Sequence, residues 1–583
     1  MANSPKQAAK AITAQDTALW AYSNGRLMGL RTNRYSWWTH WRELADYFLP
    51  RRYKWLVTPN QMARGSPINQ HILDSTGVIA ARNLASGLVS GKSSPTRPWF
   101  KLRIGTEDST MTSPTSLWLS DCERIMRLIF HESNFYNSIA TFYYDLVIFG
   151  TATMLIYEDF DNVVQCYNPC AGEYYIDIDG KYRPTVFYRE FTMTVAACVD
   201  EFGYDQCPAS VQGLYDEATG ANLTRELIIA HSIEPNDDGR ASDFGFSEEF
   251  AFREAYWVWG GSSSPQGAGS PVGFLRKRGY FEQPNITVRW DLVSNDAYGR
   301  SVAMDALPDQ KQLQLESRRK AQAIDKMVNP PLVADIQLKN QPASLLPGGI
   351  TYVSGYASSG KPGFASVYDT KFPIAEITED MNEVRERIKK TFFNDLFQTI
   401  SQYQTRSNVS ATEIDARRAE SMIMLGPVFD RIDHEGLANV IERVFAIAAR
   451  AKIFGPAPPE LQGKAIEIEF VSMLATAQSA AESSGIERLF QITGGLVGVD
   501  PAVMDNIDID FAIDKYSSLL QNDPRMIRSP EQLASIRTKR EEEKAAMAQA
   551  EQAEKLAAGA KTLADTKIGG QNALERMTGV LPQ

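Results

Sequence analysis

The sequence contains 583 residues, of which 43% are hydrophobic and 22% charged, as is typical of a globular protein with a large core. Its formal net charge of −11 argues against a protein that grips nucleic acid, because such affinity comes mainly from Lys and Arg neutralising phosphates. An odd and sparse set of five cysteines argues against a disulfide framework and indicates a reducing compartment.

Targeting and membrane-spanning segments are not expected. The N-terminal residues include no apolar stretch of signal-peptide length. The most apolar run, Leu146–Tyr157, is shorter than the ~20 residues that cross a bilayer. We therefore expect a soluble protein that is made in the cytoplasm and does not contact a membrane.

The first strongly helical pattern extends over Arg34–Arg52, and Pro50 stops it. Its apolar residues form one face at helical spacing, and most of them are aromatic: Trp37, Trp41, Leu44, Tyr47 and Phe48. Such a row belongs more often to a core or a subunit interface than to a ligand platform.

A near match to the phosphate-binding P-loop follows at Gly87–Ser93, which reads Gly-x-x-x-Gly-Lys-Ser. A P-loop needs four residues before its Gly-Lys-Ser and lies between a buried strand and the start of a helix. Here three residues separate Gly87 and Gly91, so the spacing fails. A degenerate P-loop ATPase that uses Lys92 and Ser93 remains an alternative hypothesis.

The surroundings of this stretch also differ from those of a P-loop. The residues before it predict a helix that Asp74 or Ser75 caps, with one periodic face: Val78, Ile79, Arg82, Ala85 and Leu88. Two prolines after it predict an extended segment, in which burial of Trp99 and Phe100 anchors a strand. A helix followed by an extended segment is the reverse of the P-loop order.

The pattern stays helical over residues 116–149 and then changes. Residues 151–293 contain runs rich in Val, Ile, Tyr, Phe and Thr, which predict an antiparallel β region. Asp179-Gly180 lies between two of these runs and predicts a hairpin. Gly260–Pro271 is a Gly- and Ser-rich loop within the region.

Two long helices that flank an insertion come next. The first, Leu307–Val328, has Pro308 in its first turn and is polar over most of its circumference. The insertion, Asn329–Pro373, is broken by Pro and Gly and contains short strands. The second helix, Glu376–Phe397, carries a single apolar stripe: Ile377, Met381, Val384, Ile388, Phe392 and Leu396.

A polar segment, Gln398–Val409, separates the second helix from a third helical pattern. Ser410 and Glu413 form a capping box at the start of that pattern. Pro427 must kink or break it, because proline lacks the N–H of a helix interior and crowds the preceding turn.

The C-terminal part begins with a half-buried strand at Ile466–Phe470 and is mostly helical from about residue 476. It ends in a tail rich in Ala, Glu, Lys and Gln, Lys539–Gln583. We expect this tail to be partly disordered, or ordered only in an assembly.

Several of these segments together make the chain resemble the head-to-tail connector, or portal, proteins of short-tailed bacteriophages. The resemblance extends from about residue 34 to 480 and depends on the order of six segments: Trp41–Arg52, Asp74–Leu88, Glu132–Ala152, Tyr298–Leu313, Asn408–Val428 and Ser472–Ala480. Any one of these segments alone is a weak signal.

The resemblance implies an α+β portal fold, in which identical subunits, typically twelve, form a ring at one vertex of the capsid. It implies the following division: a wing of N-terminal helices and antiparallel β region (1–293), a first stem helix (294–328), a clip (329–375), a second stem helix (376–397), a channel loop (398–409), a kinked helix and strand returning to the wing (410–475) and a helical crown with the C-terminal tail (476–583).

In such a ring, DNA slides through the hole during packaging and ejection, and a net acidic wall would not trap it. The resemblance implies transient DNA contacts from the channel loop: Gln402, Tyr403, Gln404, Thr405, Arg406, Ser407 and Asn408. The alternative is a solvated loop without a DNA role. Arg318, Arg319 and Lys320 of the first stem helix either face the channel or form salt bridges between subunits with acids such as Glu383 and Glu386.

No catalytic site, metal site or cofactor is expected. The five histidines are scattered, and Cys166 and Cys170 lack a second pair of ligands nearby. The resemblance implies a virion protein, assembled in the host cytoplasm, whose clip binds the terminase large subunit and later a tail adaptor. The major capsid and scaffolding proteins are the other expected partners. A non-channel tail or scaffold protein is the remaining alternative.

Overall fold

The three-dimensional structure is a computed structural model of the chain. It describes the following residues: 13–52, 71–104, 114–217, 220–259, 274–328, 332–334, 364–366, 373–394, 425–461, 465–471, 483, 485–495, 507–520, 526–528, 530–565, 567–568 and 571–572. The fold is α+β, as predicted.

The chain divides into two compact units. The first unit comprises three segments: Met1–Trp99, Ile125–Ile453 and Phe470–Met473. The second unit comprises the remainder: Phe100–Arg124, Phe454–Glu469 and Leu474–Gln583.

The described residues that precede the β region include five α-helices. In chain order they are α1 (Ala14–Asn33), α2 (Tyr35–Phe48), α3 (Thr76–Lys92), α4 (Pro114–Glu132) and α5 (Phe135–Phe149). A 3₁₀ turn at Pro50–Arg52 follows α2. Trp41 and Phe48 are fully buried, and Trp41 Nε1 donates to the Phe149 carbonyl oxygen at 3.1 Å. Trp41, Leu44 and Phe48 of the predicted row are therefore core, whereas Trp37 and Tyr47 are half-buried.

Helix α3 confirms the predicted helix, but the periodic face that predicted it is only partly buried. Ile79 is 51% exposed and Arg82 is exposed, whereas the buried face consists mainly of small residues: Gly77, Ala80, Ala81, Leu84, Ala85 and Leu88. A Cβ at Gly77 would lie 2.5 Å from Gln310 Oε1 and 2.8 Å from Phe48 Cε1. Close packing against its neighbours therefore selects the small face over the bulkier one.

The predicted antiparallel region contains two sheets, both antiparallel throughout. One has the order β3-β2-β9 and the other β4-β5-β6-β7-β8. Their strands are β2 (Thr151–Asp159), β3 (Val163–Tyr167), β4 (Tyr174–Asp177), β5 (Val186–Thr194), β6 (Glu226–Pro235), β7 (Phe252–Val258), β8 (Phe274–Tyr280) and β9 (Asn285–Arg289). Four short helices interrupt the region and were not predicted: α6 (Val195–Phe202), α7 (Ala209–Asp216), α8 (Gly220–Leu223) and α9 (Ala241–Phe244).

The predicted hairpin at Asp179-Gly180 is present, but its loop is longer than a two-residue turn. Strands β4 and β5 pair with Asp177 opposite Val186, so residues 178–185 form the connection. Asp179 Oδ1 holds it by accepting hydrogen bonds from the backbone N–H groups of Lys181 and Arg183, each at 2.8 Å. The loop Gly260–Pro271 lies outside the described residues.

The two long helices are present with shifted boundaries. Helix α10 (Val302–Val328) begins earlier than predicted, and Pro308 lies inside it rather than in its first turn. Helix α11 (Ile374–Thr391) ends before the predicted Phe397, because Phe393 adopts a φ of +51° that no α-helix continues. Between the helices, β10 (Leu332–Ala334) and β11 (Phe364–Ser366) pair antiparallel, in agreement with the predicted short strands.

A composite helix continues the first unit after residue 424. It consists of α12 (Gly426–Arg431), a π-helical segment (Ile432–Leu437) and α13 (Ala438–Arg450). Pro427 occupies the first turn of α12, where its missing N–H costs nothing. The predicted capping box of Ser410 and Glu413 lies outside the described residues.

The second unit contains a two-stranded sheet of β1 (Phe100–Ile104) and β12 (Ile466–Phe470), which confirms both predicted strands. Two helices follow, α14 (Ile509–Leu519) and α15 (Pro530–Asp565). Residues 537–562 of α15 are exposed at every position. The short strands β13 (Lys567–Ile568) and β14 (Gln571–Asn572) form a final hairpin. Ordering of this tail within an assembly stays a prediction.

Candidate nucleic-acid interface

Helices α10 and α11 pack against each other through the predicted apolar stripe. Met381, Val384, Ile388 and Phe392 of the stripe are at most 3% exposed, as is Leu313 of α10. The Phe392 ring meets Phe48 of α2 edge to face, with ring centroids 5.6 Å apart. The stripe therefore joins α11 to the rest of the first unit.

Polar contacts show that the two helices run antiparallel. Arg385 of α11 and Gln314 of α10 both bind Asp74, whereas Arg387, one half-turn later in α11, lies 3.5 Å from Asp309, earlier in α10. The contact positions thus move in opposite directions along the two helices. The insertion between Val328 and Ile374 therefore starts and finishes at one end of the pair, and residues after Asn394 leave from the other end.

Asp74 is the junction at which three helices meet, and sequence reasoning missed this role. Its Oδ2 accepts from Arg385 Nε at 2.9 Å and Nη2 at 2.8 Å, and its Oδ1 accepts from the Thr76 N–H at 2.9 Å. Gln314 Oε1 accepts from the N–H groups of Leu73 and Asp74, and Gln314 Nε2 donates to the Asp74 carbonyl at 2.8 Å.

The electrostatics of this junction favour a charged carboxylate. Burial acts to raise the pKa of Asp74, but the hydrogen bonds from Thr76 and Arg385 outweigh it, so the pKa lies below its ordinary value. Buried glutamines at i and i+4 on α10, Gln310 and Gln314, were the available sequence signal. Their partner could not be predicted, because it lies about 240 residues away in the chain.

The basic residues proposed for the channel wall lie along the exposed part of α10. Arg318 and Arg319 are exposed and Lys320 is half-buried. Successive residues of an α-helix point about 100° apart, so these three side chains cannot all face one surface. Within the described residues none of the three forms an ion pair, and Glu386 pairs with Lys389 of its own helix at 2.7 Å. Whether they contact DNA or a neighbouring subunit stays a prediction.

The predicted channel-loop residues all lie outside the described residues: Gln402, Tyr403, Gln404, Thr405, Arg406, Ser407 and Asn408. Their proposed contacts with DNA therefore stay a prediction. The structure describes the elements on either side, which are the end of α11 and the start of α12.

The near-P-loop does not have the arrangement of a nucleotide site. Lys92 and Ser93 are 8% and 0% exposed and lie at the C-terminal end of α3, whereas the lysine of a P-loop lies where a helix begins. Lys92 Nζ forms an ion pair with Asp433 Oδ2 at 2.7 Å and lies 4.8 Å from the centre of the Phe429 ring. The P-loop ATPase alternative is therefore wrong for these residues, because the lysine is occupied within the fold.

A buried polar network crosses the five-stranded sheet and was not predicted. Arg189 Nε donates to His231 Nδ1 at 3.0 Å, and His231 Nε2 lies 2.8 Å from Glu254 Oε1. Because a guanidinium N–H can only donate, Nδ1 must carry the lone pair and Nε2 the proton. Glu254 also accepts from the hydroxyls of Tyr256 at 3.2 Å and Tyr280 at 2.9 Å.

Burial sets the charge states in this network. Burial lowers the pKa of His231 to about 4, which keeps the ring neutral. Burial alone would raise the pKa of Glu254, but the hydrogen bond from His231 and the nearby Arg278 reverse the shift, so the pKa lies below its ordinary value. The arrangement is a satisfied structural network, and it presents no group to solvent for acid–base chemistry.

Metal-ligand clusters and cysteine thiols are the other groups that could carry chemistry. Among the residues that the structure describes, no three His, Cys, Asp or Glu side chains come together as a group that could hold a metal ion. Cys166 and Cys170 are free thiols, and Cys170 Sγ lies 3.8 Å from Glu173 Oε2. No helix in the described ranges is both long and apolar enough to cross a membrane.

Comparison with known proteins identifies the family to which the chain is similar. A family model described as "Bacteriophage head to tail connecting protein" matches residues 22–527. The chain is 38% identical over 554 residues to the "Probable portal protein" of Bordetella phage BPP-1, covering 94% of this chain and 96% of that protein. It is 35% identical over 557 residues to the "Portal protein" of Salmonella phage epsilon15, with the same coverage of both chains.

These matches define the class of protein as a bacteriophage portal, or head-to-tail connecting, protein. The chain belongs to the bacteriophage head-to-tail connecting protein family, and its function is that of a portal, the connector between the head and tail of the phage. The resemblance inferred from six sequence segments is therefore confirmed.

Proposed function

We propose that the chain forms a closed ring of twelve subunits at one capsid vertex, through which double-stranded DNA enters during packaging and leaves during ejection. In this proposal the two stem segments are residues 294–328, which contain α10, and residues 376–397, which contain most of α11, while residues 329–375 form the clip and residues 398–409 form the channel loop. Residues 1–293 form the wing, to which 410–475 return, and residues 476–583 form the crown and tail.

The observation that carries the proposal is the antiparallel pairing of α10 and α11. The pair is anchored in the first unit near Asp74, and the insertion begins and finishes at its other end. The segment after α11 leaves from the anchored end. A ring of such pairs would hold the insertion at one rim. It would hold the channel loop at the anchored end of the pairs, next to the rest of the first unit, as a conduit requires.

The charge of the chain supports a channel through which DNA slides without being tightly bound. The net charge of −11 and exposed acids on α11, such as Glu379, Glu383 and Glu386, give a phosphate backbone little to bind. Arg318, Arg319 and Arg406 would supply a few reversible contacts. Each cation held against a phosphate releases counterions and adds affinity, so a small number suits sliding better than a continuous basic wall.

The proposed partners follow from the position of the insertion. The clip would bind the terminase large subunit during packaging and a tail adaptor afterwards, while the major capsid and scaffolding proteins would surround the ring in the host cytoplasm. The two portal-named relatives are matched over 96% of their length, which supports a portal over a smaller adaptor or a scaffold protein.

Deletion of Gln402–Asn408 tests the channel-loop assignment. We expect the deletion variant to form rings indistinguishable from the parent in electron micrographs but to retain or package less DNA. Loss of ring formation would make the segment architectural, and full DNA retention would remove its role in DNA contact.

A further inference from the structure

Helix α3 forms ion pairs at both of its ends, and each joins it to a different side of the segment 395–424. Its N-terminal end meets α11, which precedes the segment, through Asp74 and Arg385. Its C-terminal end meets the π-helical segment that follows α12, through Lys92 and Asp433. Among the described residues, α3 is the element that forms ion pairs with residues both before and after the segment 395–424.

The N-terminal contact is well built for positioning. Asp74 is 11% exposed at its side chain and accepts two hydrogen bonds from Arg385, while Gln314 holds the backbone of Asp74 against α10. Gly77, one turn later, allows α3 to approach α10 and α2 more closely than a Cβ would permit. Arg385, and with it the C-terminal half of α11, is therefore held at a fixed position next to the N-terminal end of α3.

The C-terminal contact is more deeply buried. The side chains of Lys92 and Asp433 are 9% and 15% exposed, and the Phe429 ring of α12 covers the ammonium group. Ser93 beside it is fully buried. An unpaired charge at such a depth is costly, so the pair strongly favours the arrangement in which α12 lies against the end of α3.

The two flanking helices otherwise pack on different partners. Helix α11 packs on α10 and, through Phe392, on Phe48 of α2, whereas the π-helical segment and α13 are joined to β9 and to the β8–β9 connection through Glu435 with Arg289 and Arg443 with Glu282, each at 2.6 Å. A chain of about 30 residues can reach on the order of 100 Å when fully extended, so the number of residues alone sets no close distance between the two ends. A 17-residue helix sets them about 25 Å apart.

We propose that α3 is a brace that fixes the two ends of residues 395–424 relative to each other, with Asp74, Arg385, Lys92 and Asp433 as its positioning residues. The near-P-loop lysine thus has a positioning role in place of phosphate binding. The consequence for DNA rests on the proposed function of the channel loop. The brace itself does not, because it concerns only the ends of the segment.

A distance measurement between the two ends tests the brace. Spin labels are attached to cysteines at exposed positions on either side, Lys390→Cys and Asp430→Cys, and labelled subunits are diluted with unlabelled ones in the assembled protein. The Lys92→Met/Asp433→Asn variant removes both charges and avoids leaving one unpaired. We expect its distance distribution, measured by pulsed electron paramagnetic resonance, to be at least about twice as broad as that of the parent.

A matched control and a milder variant keep the test decisive. Lys311→Met breaks an ion pair of similar length, 2.9 Å to Glu43, that does not involve α3, and should leave the distribution unchanged. Arg385→Gln removes the more exposed end of the brace and should broaden the distribution if the double variant fails to fold. An unchanged distribution in folded Arg385→Gln and Lys92→Met/Asp433→Asn would overturn the proposal.

DNA retention by the same variants separates the brace from the channel-loop function. Broadening together with loss of retained DNA supports both. Broadening with full DNA retention leaves the brace intact and contradicts the role of the loop.

Discussion

In the five-stranded sheet, Arg189, His231 and Glu254 form one chain of hydrogen bonds that is sealed from water, whereas Arg319 and Glu383 on the α10–α11 pair are exposed. The same residue types therefore have opposite energetic roles in the two regions. In the sheet each charge depends on its partners, and loss of one leaves the others buried without compensation. On the helix pair each charge is solvated and can be exchanged with little effect on folding.

Replacement of Glu254 should have the largest effect on the free energy of unfolding. A small effect would contradict the contrast between the two regions. Glu254→Ala leaves His231, Arg278 and two tyrosine hydroxyls without their shared acceptor, so we expect a loss of ~3–5 kcal/mol in the free energy of unfolding. Glu383→Ala on α11 is the matched control, with an expected change within ~0.5 kcal/mol. Denaturant titration of both variants measures the difference, and equal effects would contradict the account.

The pH dependence of stability sharpens the same contrast. The pKa of His231 is lowered by burial to about 4 in the folded protein, whereas the unfolded chain takes up the proton below its ordinary value of 6.5. The unfolded state thus binds more protons at low pH, so stability is complete above pH 6.5 and is lost as the pH falls towards 4.

His231→Gln provides the comparison, because the amide can accept from Arg189 and donate to Glu254 without titrating. We expect the stability of the parent to fall relative to this variant by on the order of 3 kcal/mol between pH 6.5 and 4. Parallel stability curves for the two proteins would show that the pKa of His231 is not lowered in the fold and would contradict this prediction.

A substitution that disturbs the close packing of α3 against α10 and α2 should have an intermediate effect on stability. Gly77→Ala places a Cβ 2.5 Å from Gln310 Oε1 and 2.8 Å from Phe48 Cε1, so we expect a cost of ~1–3 kcal/mol. Gly91→Ala in the same helix meets nothing within 4 Å and should be neutral or stabilise by ~1 kcal/mol. Thermal unfolding of the pair distinguishes a steric cost from a general effect of alanine in α3.

Substitution of Arg319 should have the smallest effect on folding. We expect Arg319→Gln to change the free energy of unfolding by less than ~0.5 kcal/mol, because the side chain is exposed. If Arg319 contacts phosphates, the affinity for DNA should also depend less on salt. The slope of log affinity against log salt concentration should then decrease in magnitude by about 0.9 per lost contact. A large loss of stability would place Arg319 in a subunit interface instead.

The sequence predicted those parts of the fold that depend on local pattern. The α11 stripe, the aromatic face of α2 and the antiparallel region follow from periods of 3.6 and 2, and the structure contains all three. Its failures have a common cause. Ile79 belongs to the periodic face that predicted α3, but it is exposed, and Gly77 and Ala81 are buried instead because tertiary packing there requires small residues.

Long-range partners could not be predicted at all. Lys92 meets Asp433 and Asp74 meets Arg385 across more than 300 positions of sequence, and no periodicity in one chain links such pairs. For the same reason, the spacing of the motif argued against phosphate binding by Lys92, but the sequence could not show which residue Lys92 pairs with. The family was nevertheless recognisable, because it depends on the order of several segments rather than on any contact.

The central claim is that copies of this chain close into a ring around a passage for DNA. Negative-stain electron microscopy of the purified protein tests it most directly. We expect closed rings with a central hole wide enough for a duplex. Solid particles, open arcs or a monomer that persists at high concentration would contradict the claim.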